Sequence, residues 1–339
     1  MEDWFRGKVV MITGATAGVG RATALAFAQQ GARLGLIARD QAALEALRDE
    51  VKAMGVRSRI FPIDVADAEA VAAAAADVEQ RLGPIEVWVN NAMTTIFGKV
   101  RDLTAEEIRR VTEVTYLGYV HGTLAALQAM GQRDRGTIVQ VGSALAWRGI
   151  PLQAPYCAAK HAIQGFTESL RTELMHDGSG IQVTTVHLPA INTPQFDWAR
   201  TKTGHEPRPV APVFAPEVAA RAIVKAARKP MREYWLGSST IKTVLGSLLS
   251  PAIADWVLVR SAVSGQARED TTTPARPDNL IDPVTGLHRT SGAFGDEARQ
   301  SAVLVPASVA VLGTAVGVAL AAGLAGAAIG RLTQNNRRR

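Results

Sequence analysis

Short, nearly unbroken apolar runs alternate along this chain with longer stretches whose apolar positions recur every three or four residues. The runs at 8–13 (KVVMIT), 33–38 (RLGLIA), 59–64 (RIFPID), 85–91 (IEVWVNN), 136–143 (GTIVQVGS), 181–188 and 233–237 (EYWLG) read as strands. Between them, 19–30, 68–82, 104–130, 155–175 and a stretch opening at Pro216 carry helical spacing. Thr104 with Glu107 three positions later has the form of a capping box. Strand and helix in strict alternation predict a parallel sheet of about seven strands covered on both faces.

The pattern changes beyond residue 238. Residues 250–301 are rich in Pro, Thr, Asp and Arg and predict an extension that wraps the domain or a linker. Residues 302–330 hold no charge, exceed the roughly 20 apolar residues a bilayer crossing needs, and carry the Gly313/Gly317 and Gly326/Gly330 spacings that let helices approach closely in lipid. A hydrophobic C-terminal helix serving as membrane anchor is therefore expected, with a flexible or buried Ala/Gly-rich helix as the alternative. Arg331 and the three terminal arginines would favour the cytoplasmic side and send the rest of the chain outward. A helix lying on the inner surface, or a bent hairpin, removes that conflict. The division expected is 1–240 for a nucleotide-binding catalytic domain, 241–301 for the extension and 302–330 for the apolar segment.

Composition narrows the chemistry. The 339 residues include 47% hydrophobic but only 5% aromatic positions, so packing relies on small aliphatics. The formal charge of +6 is spread among acids rather than gathered on a basic helix, which argues against nucleic acid and for an anionic cofactor or a membrane surface. Cys157 stands alone, excluding an internal disulfide, and the six histidines lack metal-ligand spacing, so no metal is expected. The first residues enter a strand without a signal-peptide core, which places the catalytic part in the cytoplasm.

Three stretches carry candidate chemistry. Between the first strand and helix lies TGATAGVG, with Gly14, Gly18 and Gly20, where glycines allow a tight turn and let phosphate oxygens approach amides at a helix N-terminus. The second strand ends in Arg39 rather than an acid; a guanidinium there suits a ribose 2'-phosphate, favouring NADP(H) with NAD(H) as the alternative. Asp40 beside it tempers that reading, and a solvated arginine is the plain one. Finally, Ser143 closes the fifth strand while Tyr156 and Lys160, four apart on a helix, share one face. Bringing a phenol from about 10 to neutrality takes about 4 kcal/mol. A cation about 4 Å away supplies roughly that at an effective dielectric near 20, but only about 1 kcal/mol in water. The pair can therefore act as a general acid/base only in a dry site.

TGATAGVG (13–20), NNAM (90–93), Ser143 and YCAAK (156–160) together resemble the short-chain dehydrogenase/reductase family, over about residues 8–237. The resemblance implies a Rossmann-like doubly wound sheet, a nicotinamide cofactor and hydride transfer between an alcohol and a carbonyl. Carried over by position, Tyr156 is the proton donor or acceptor, Ser143 orients the substrate oxygen, and Lys160 holds the nicotinamide ribose while lowering the Tyr156 pKa. Gly14, Thr16, Gly18, Val19, Gly20, Asp64, Val65, Asn91 and Ala92 fall on cofactor-binding positions, as do Pro189 and Thr193 near the carboxamide. Thr115 stands where the family has a catalytic Asn, Met93 and Ala190 where it has Gly; the first leaves open how protons are replenished.

The helix at 155–175 often meets its counterpart in a second subunit in this family, making Phe166 and Leu170 candidate contacts of a homo-oligomer. The loop at 192–214, with Phe196, Trp198 and Phe214, and the nearby Trp147 suggest an apolar substrate; aromatics that merely anchor the loop are the alternative. The reading is an NADP(H)-dependent oxidoreductase acting on a hydrophobic secondary alcohol and its ketone or aldehyde. Its rival is a nucleotide-binding regulatory or scaffold protein that keeps the fold without turnover.

Overall fold

A computed structural model of the chain describes residues 4–272, 276–286 and 288–314. The seven expected strands form: β1 (Val9–Thr13), β2 (Arg33–Ala38), β3 (Ser58–Pro62), β4 (Ile85–Asn90), β5 (Gly136–Ser143), β6 (Ile181–Leu188) and β7 (Glu233–Leu236). They lie in the order β7-β6-β5-β4-β1-β2-β3, all parallel. An eighth strand, β8 (Leu304–Pro306), pairs antiparallel with β7 at the edge. The chain steps outward from β1 through β2 to β3, then returns to place β4 on the other side of β1. The crevice above that reversal is where such sheets take their ligands.

Period-two alternation on each strand feeds two apolar layers. Val10 and Ile12 of β1 join one, with Phe27 of α1 (Gly18–Ala28) and Leu44 and Leu47 of α2 (Gln41–Ala53). Val9 and Met11 join the other, with Val78 of α3 (Ala68–Arg81) and Met130 near the end of the 104–130 stretch. Side-chain caps fix the starts: Asp40 accepts from the Ala43 amide of α2, and Thr104 and Glu107 form the expected capping box on α4 (Ala105–Thr112).

The stretch at 104–130 is not one helix. It breaks into α4, a π-helical turn at Glu113–Leu117, and α5 (Gly118–Gly131). Thr115 in the turn is fully buried, accepting from the Thr94 amide at 3.0 Å and donating to the Thr94 carbonyl at 2.8 Å. Gly118 lies so close to Val65 that a Cβ there would come within 2.6 Å of its side chain. The bulge thus seats the helix against the segments leaving β3 and β4. Three long helices follow: α6 (Ala154–His176), α7 (Pro216–Arg228) and α8 (Gly237–Leu249), the last leading into α9 (Pro251–Ser261).

The C-terminal expectation needs correction. Residues 304–306 are spent on β8, so no helix runs from 302; a helical turn begins at 307, and residues 315–330 of the expected anchor lie outside the described residues. Among the described residues no helix is long and apolar enough to cross a membrane. Residues 276–286 and 288–300 pack against the rest of the chain, as described below. Leu170 is buried in the second apolar layer and Phe166 packs against it, so their burial is explained within one chain.

Phe27, fully buried and edge-on to Phe5 at 4.8 Å between ring centroids, anchors α1 on the sheet. Phe27→Ala should cost about 3–5 kcal/mol, read as a lowered urea midpoint with unchanged slope; a loss below about 1 kcal/mol would contradict this packing.

Candidate active site

One cavity of about 440 Å³ opens at the C-terminal ends of the strands, running from the glycine turn past Arg39 and Asp64 to Ser143, Tyr156 and Lys160. The turn after β1 is built for close approach. Gly14 and Gly18 have φ of +65° and +54°, and a Cβ on Gly20 would fall 2.0 Å from the Gly14 carbonyl oxygen. The Asn91 side chain donates to the carbonyls of Thr13 and Gly14, while the Thr13 hydroxyl accepts from the amides of Asn91 and Ala92. The end of β4 is thereby laced to the turn. Thr16, Val19, Val65, Pro189 and Thr193 also line the cavity. The turn thus leaves room for phosphate oxygens beside the N-terminus of α1, although its first amide, that of Gly18, is taken by the Arg289 carbonyl.

The C-terminal strap, residues 276–286 and 288–300, lies over this half. Arg39 donates to the carbonyls of Asn279 and Ile281, and burial lowers its pKa. His288 meets the Asp40 carboxylate at 2.9 Å, and the Arg289 carbonyl accepts from the Gly18 amide at 3.0 Å. Asp64 pairs with Arg110, which also reaches the Leu280 carbonyl. Arg39 is therefore not a solvated arginine; it lines the cavity with much of its donor capacity held by backbone.

At the other end, Ser143 terminates β5, its hydroxyl accepting from the Leu145 amide at 3.1 Å and lying on the same cavity as Tyr156. Tyr156 lies in the first turn of α6, partly buried and facing the cavity. Lys160, one turn on, is 2% exposed. Its Nζ donates to the Val141 carbonyl at 2.8 Å and to the Tyr119 hydroxyl at 2.9 Å, and lies 5.7 Å from the Tyr156 ring centroid. Tyr119 itself is buried and donates to the same carbonyl at 2.9 Å. Desolvation brings Lys160 down to about 7 and raises Tyr156, with the neighbouring Ser143 opposing the rise. The Lys160 ammonium is turned toward Tyr119, and burial, not the ammonium, dominates the shift at Tyr156.

The Thr115 hydroxyl bonds to Thr94, donating to its carbonyl and accepting from its amide. Two groups escaped sequence reasoning. Tyr119 follows Thr115 by four positions, a spacing that places both on one face and could have been noticed. His187 and Glu233 sit buried in β6 and β7, polar interruptions of apolar runs. His187 Nδ1 is 3.0 Å from the Ser143 carbonyl, which only accepts, so that nitrogen carries the hydrogen. Its Nε2 lies 3.4 Å from Glu233. Burial alone would raise the Glu233 carboxyl, but bonds from His187 and Gln164 with the nearby Arg171 hold it at about 2.

Leu145, Ile150, Leu188, Phe196 and Trp198 give the cavity an apolar wall, alongside the polar Arg148, Gln153 and Ser239. Phe214 is instead core, and Trp147 stacks edge-on against His187 and Trp235.

The short chain dehydrogenase family model matches residues 8–203. An uncharacterised oxidoreductase, YxnA of Bacillus subtilis, is 32% identical over 285 residues, covering 84% of this chain and 80% of that one. A 2-(S)-hydroxypropyl-CoM dehydrogenase of Xanthobacter autotrophicus is 34% identical over 225 residues, 66% of this chain and 84% of its own. The X-ray structure of an alcohol dehydrogenase from the archaeon Thermococcus sibiricus, complexed with 5-hydroxy-NADP, superimposes with a TM-score of 0.59 at 26% identity, covering 67% of this chain and 95% of that one.

A lysine at about 7 in the folded chain and 10.5 unfolded binds fewer protons when folded between those values, so its contribution to stability rises with pH from about 7 to about 10. The stability difference between wild type and Lys160→Met should drift in the wild type's favour across that window, by up to about 1.4 kcal/mol per pH unit. Parallel urea titrations at pH 6.5 to 9.5 check it; a flat difference would refute the desolvated lysine.

Proposed function

We propose that this chain, which belongs to the short-chain dehydrogenase family, is an NADP(H)-dependent oxidoreductase that reduces an apolar ketone or aldehyde to its alcohol. The observation that carries this reading is the convergence of Ser143, Tyr156 and Lys160 on one cavity, with Lys160 desolvated one turn behind Tyr156. The glycine turn, Asn91, Thr193 and the strap cradle the cofactor along the same cavity. Arg39 supports the phosphorylated form, because a 2'-phosphate would find a permanent, partly desolvated cation beside it. Asp40, engaged by His288 and by its own helix, is less able to repel that anion.

Held along this cavity, a reduced nicotinamide would supply the hydride that the carbonyl carbon takes up. Tyr156 gives its proton to the carbonyl oxygen, while Ser143 donates a hydrogen bond to that oxygen as charge builds on it. A phenol raised by burial stays protonated at neutral pH, which suits donation and hence reduction. Lys160, titrating near 7, can hold the proton that restores Tyr156. Its partner Tyr119 fixes the ammonium where Thr115, committed to Thr94, does not reach.

The test is turnover of NADPH with a panel of medium-chain and aromatic ketones. Tyr156→Phe should lower kcat by about 10²-fold or more while leaving NADPH affinity within about threefold. Equal slow turnover by both proteins, with tight NADPH binding, would instead favour a nucleotide-binding scaffold. In the same assay Arg39→Asp should reverse or erase the preference for NADPH over NADH; an unchanged ratio would remove the 2'-phosphate assignment.

A further inference from the structure

Helix α9, PAIADWVLVRS, has no buried residue, although seven of its eleven positions are apolar. Ile253, Trp256, Val257 and Val259 are all more than 45% exposed, and Leu248 and Leu249 at the end of α8 extend the patch. At 100° per residue the outward apolar positions of α9, including Ala252, span roughly 160° of its circumference. A flat contact with another folded protein covers a narrower stripe, nearer the ~100° of an ordinary packed helix. A medium that surrounds the helix covers the whole arc.

Charge and position point the same way. Between 237 and 263 the only ionisable side chains are Lys242, Asp255 and Arg260. Asp255 is neutralised by Arg148, leaving the two exposed cations. The Arg260 guanidinium lies 3.6 Å above the Trp256 ring, so an aromatic and a cation share one spot on the apolar arc, the pairing suited to a lipid headgroup boundary. The inner side of the hairpin, Thr243, Leu258, Ser261 and Ala262, lines the cavity that holds Tyr156. The apolar surface is thus continuous with the cavity wall.

The geometry points to the α8–α9 hairpin as a surface that docks on an anionic lipid bilayer, lying in the headgroup region with its apolar arc in the acyl boundary, beside the opening of the cavity. That it serves to admit apolar substrate from the lipid rests on the reductase reading; the docking itself does not.

Flotation of the full chain with vesicles of phosphatidylcholine alone, or with phosphatidylglycerol added, tests it without turnover. Wild type should float with the anionic vesicles, less with the neutral ones, and salt should weaken the anionic component. The triple variant Ile253→Gln, Trp256→Gln, Val259→Gln should bind roughly tenfold more weakly or worse, while Trp256→Phe should largely retain binding. These are exposed positions, so the triple variant should keep the wild-type melting temperature and its rate on a small water-soluble ketone. Absence of flotation, or flotation untouched by the triple variant, would overturn the proposal. So would a wild-type dimer in sedimentation that the variant dissociates, since a second copy would then cover the patch. Loss of ketone turnover with vesicle binding intact would strike the reductase reading alone.

Discussion

The site depends on an ammonium removed from water. Lys160 is nearly inaccessible and is held by one backbone carbonyl and one phenol, neither of them charged. Such a group loses hydration without a counter-ion to compensate, so its charge becomes conditional near neutral pH. Everything around it serves to keep that arrangement. The strand β5 supplies both the Val141 carbonyl that Lys160 and Tyr119 share and, two residues on, Ser143. Helix α6 then carries Tyr156 and Lys160 on one face, and the bulge at Thr115 sets the register from which Tyr119 reaches inward.

A second buried layer supports the serine. The His187 ring holds the Ser143 carbonyl from behind, and Glu233 faces the other ring nitrogen. Strands β5, β6 and β7 are thus tied together by side chains as well as by their ladder. Trp147 and Trp235 close over the same spot, keeping water from a pair of polar groups that would otherwise weaken the sheet.

Much of the frame was legible because its cause is local. Apolar runs became strands, the Thr104–Glu107 box became a helix start, and the three glycines sit where a side chain would strike backbone or Thr193. What was not legible depends on long-range contact. The strap binds Arg39 and Gly18 through its own backbone carbonyls, which no residue type announces. The eighth strand was hidden within a segment whose lack of charge reads equally as a buried edge or a lipid-facing helix. Tyr119 was concealed because 104–130 reads as one helix, and only the π-turn aims its hydroxyl at Lys160. The adjacency of Tyr156 and Lys160 was foreseeable; the direction in which the ammonium turns was not.

The strap and the hairpin also separate the two ends of the cavity. The nucleotide half is roofed by backbone that donates and accepts, while the other half is walled in part by apolar side chains. The most direct test of this account is a ¹⁵N titration of the Lys160 ammonium, assigned by its loss in Lys160→Arg. The account predicts a midpoint near 7 in the chain without ligand. A midpoint near the ordinary lysine value of about 10.4 would mean that water reaches the group, and the dry site would be contradicted.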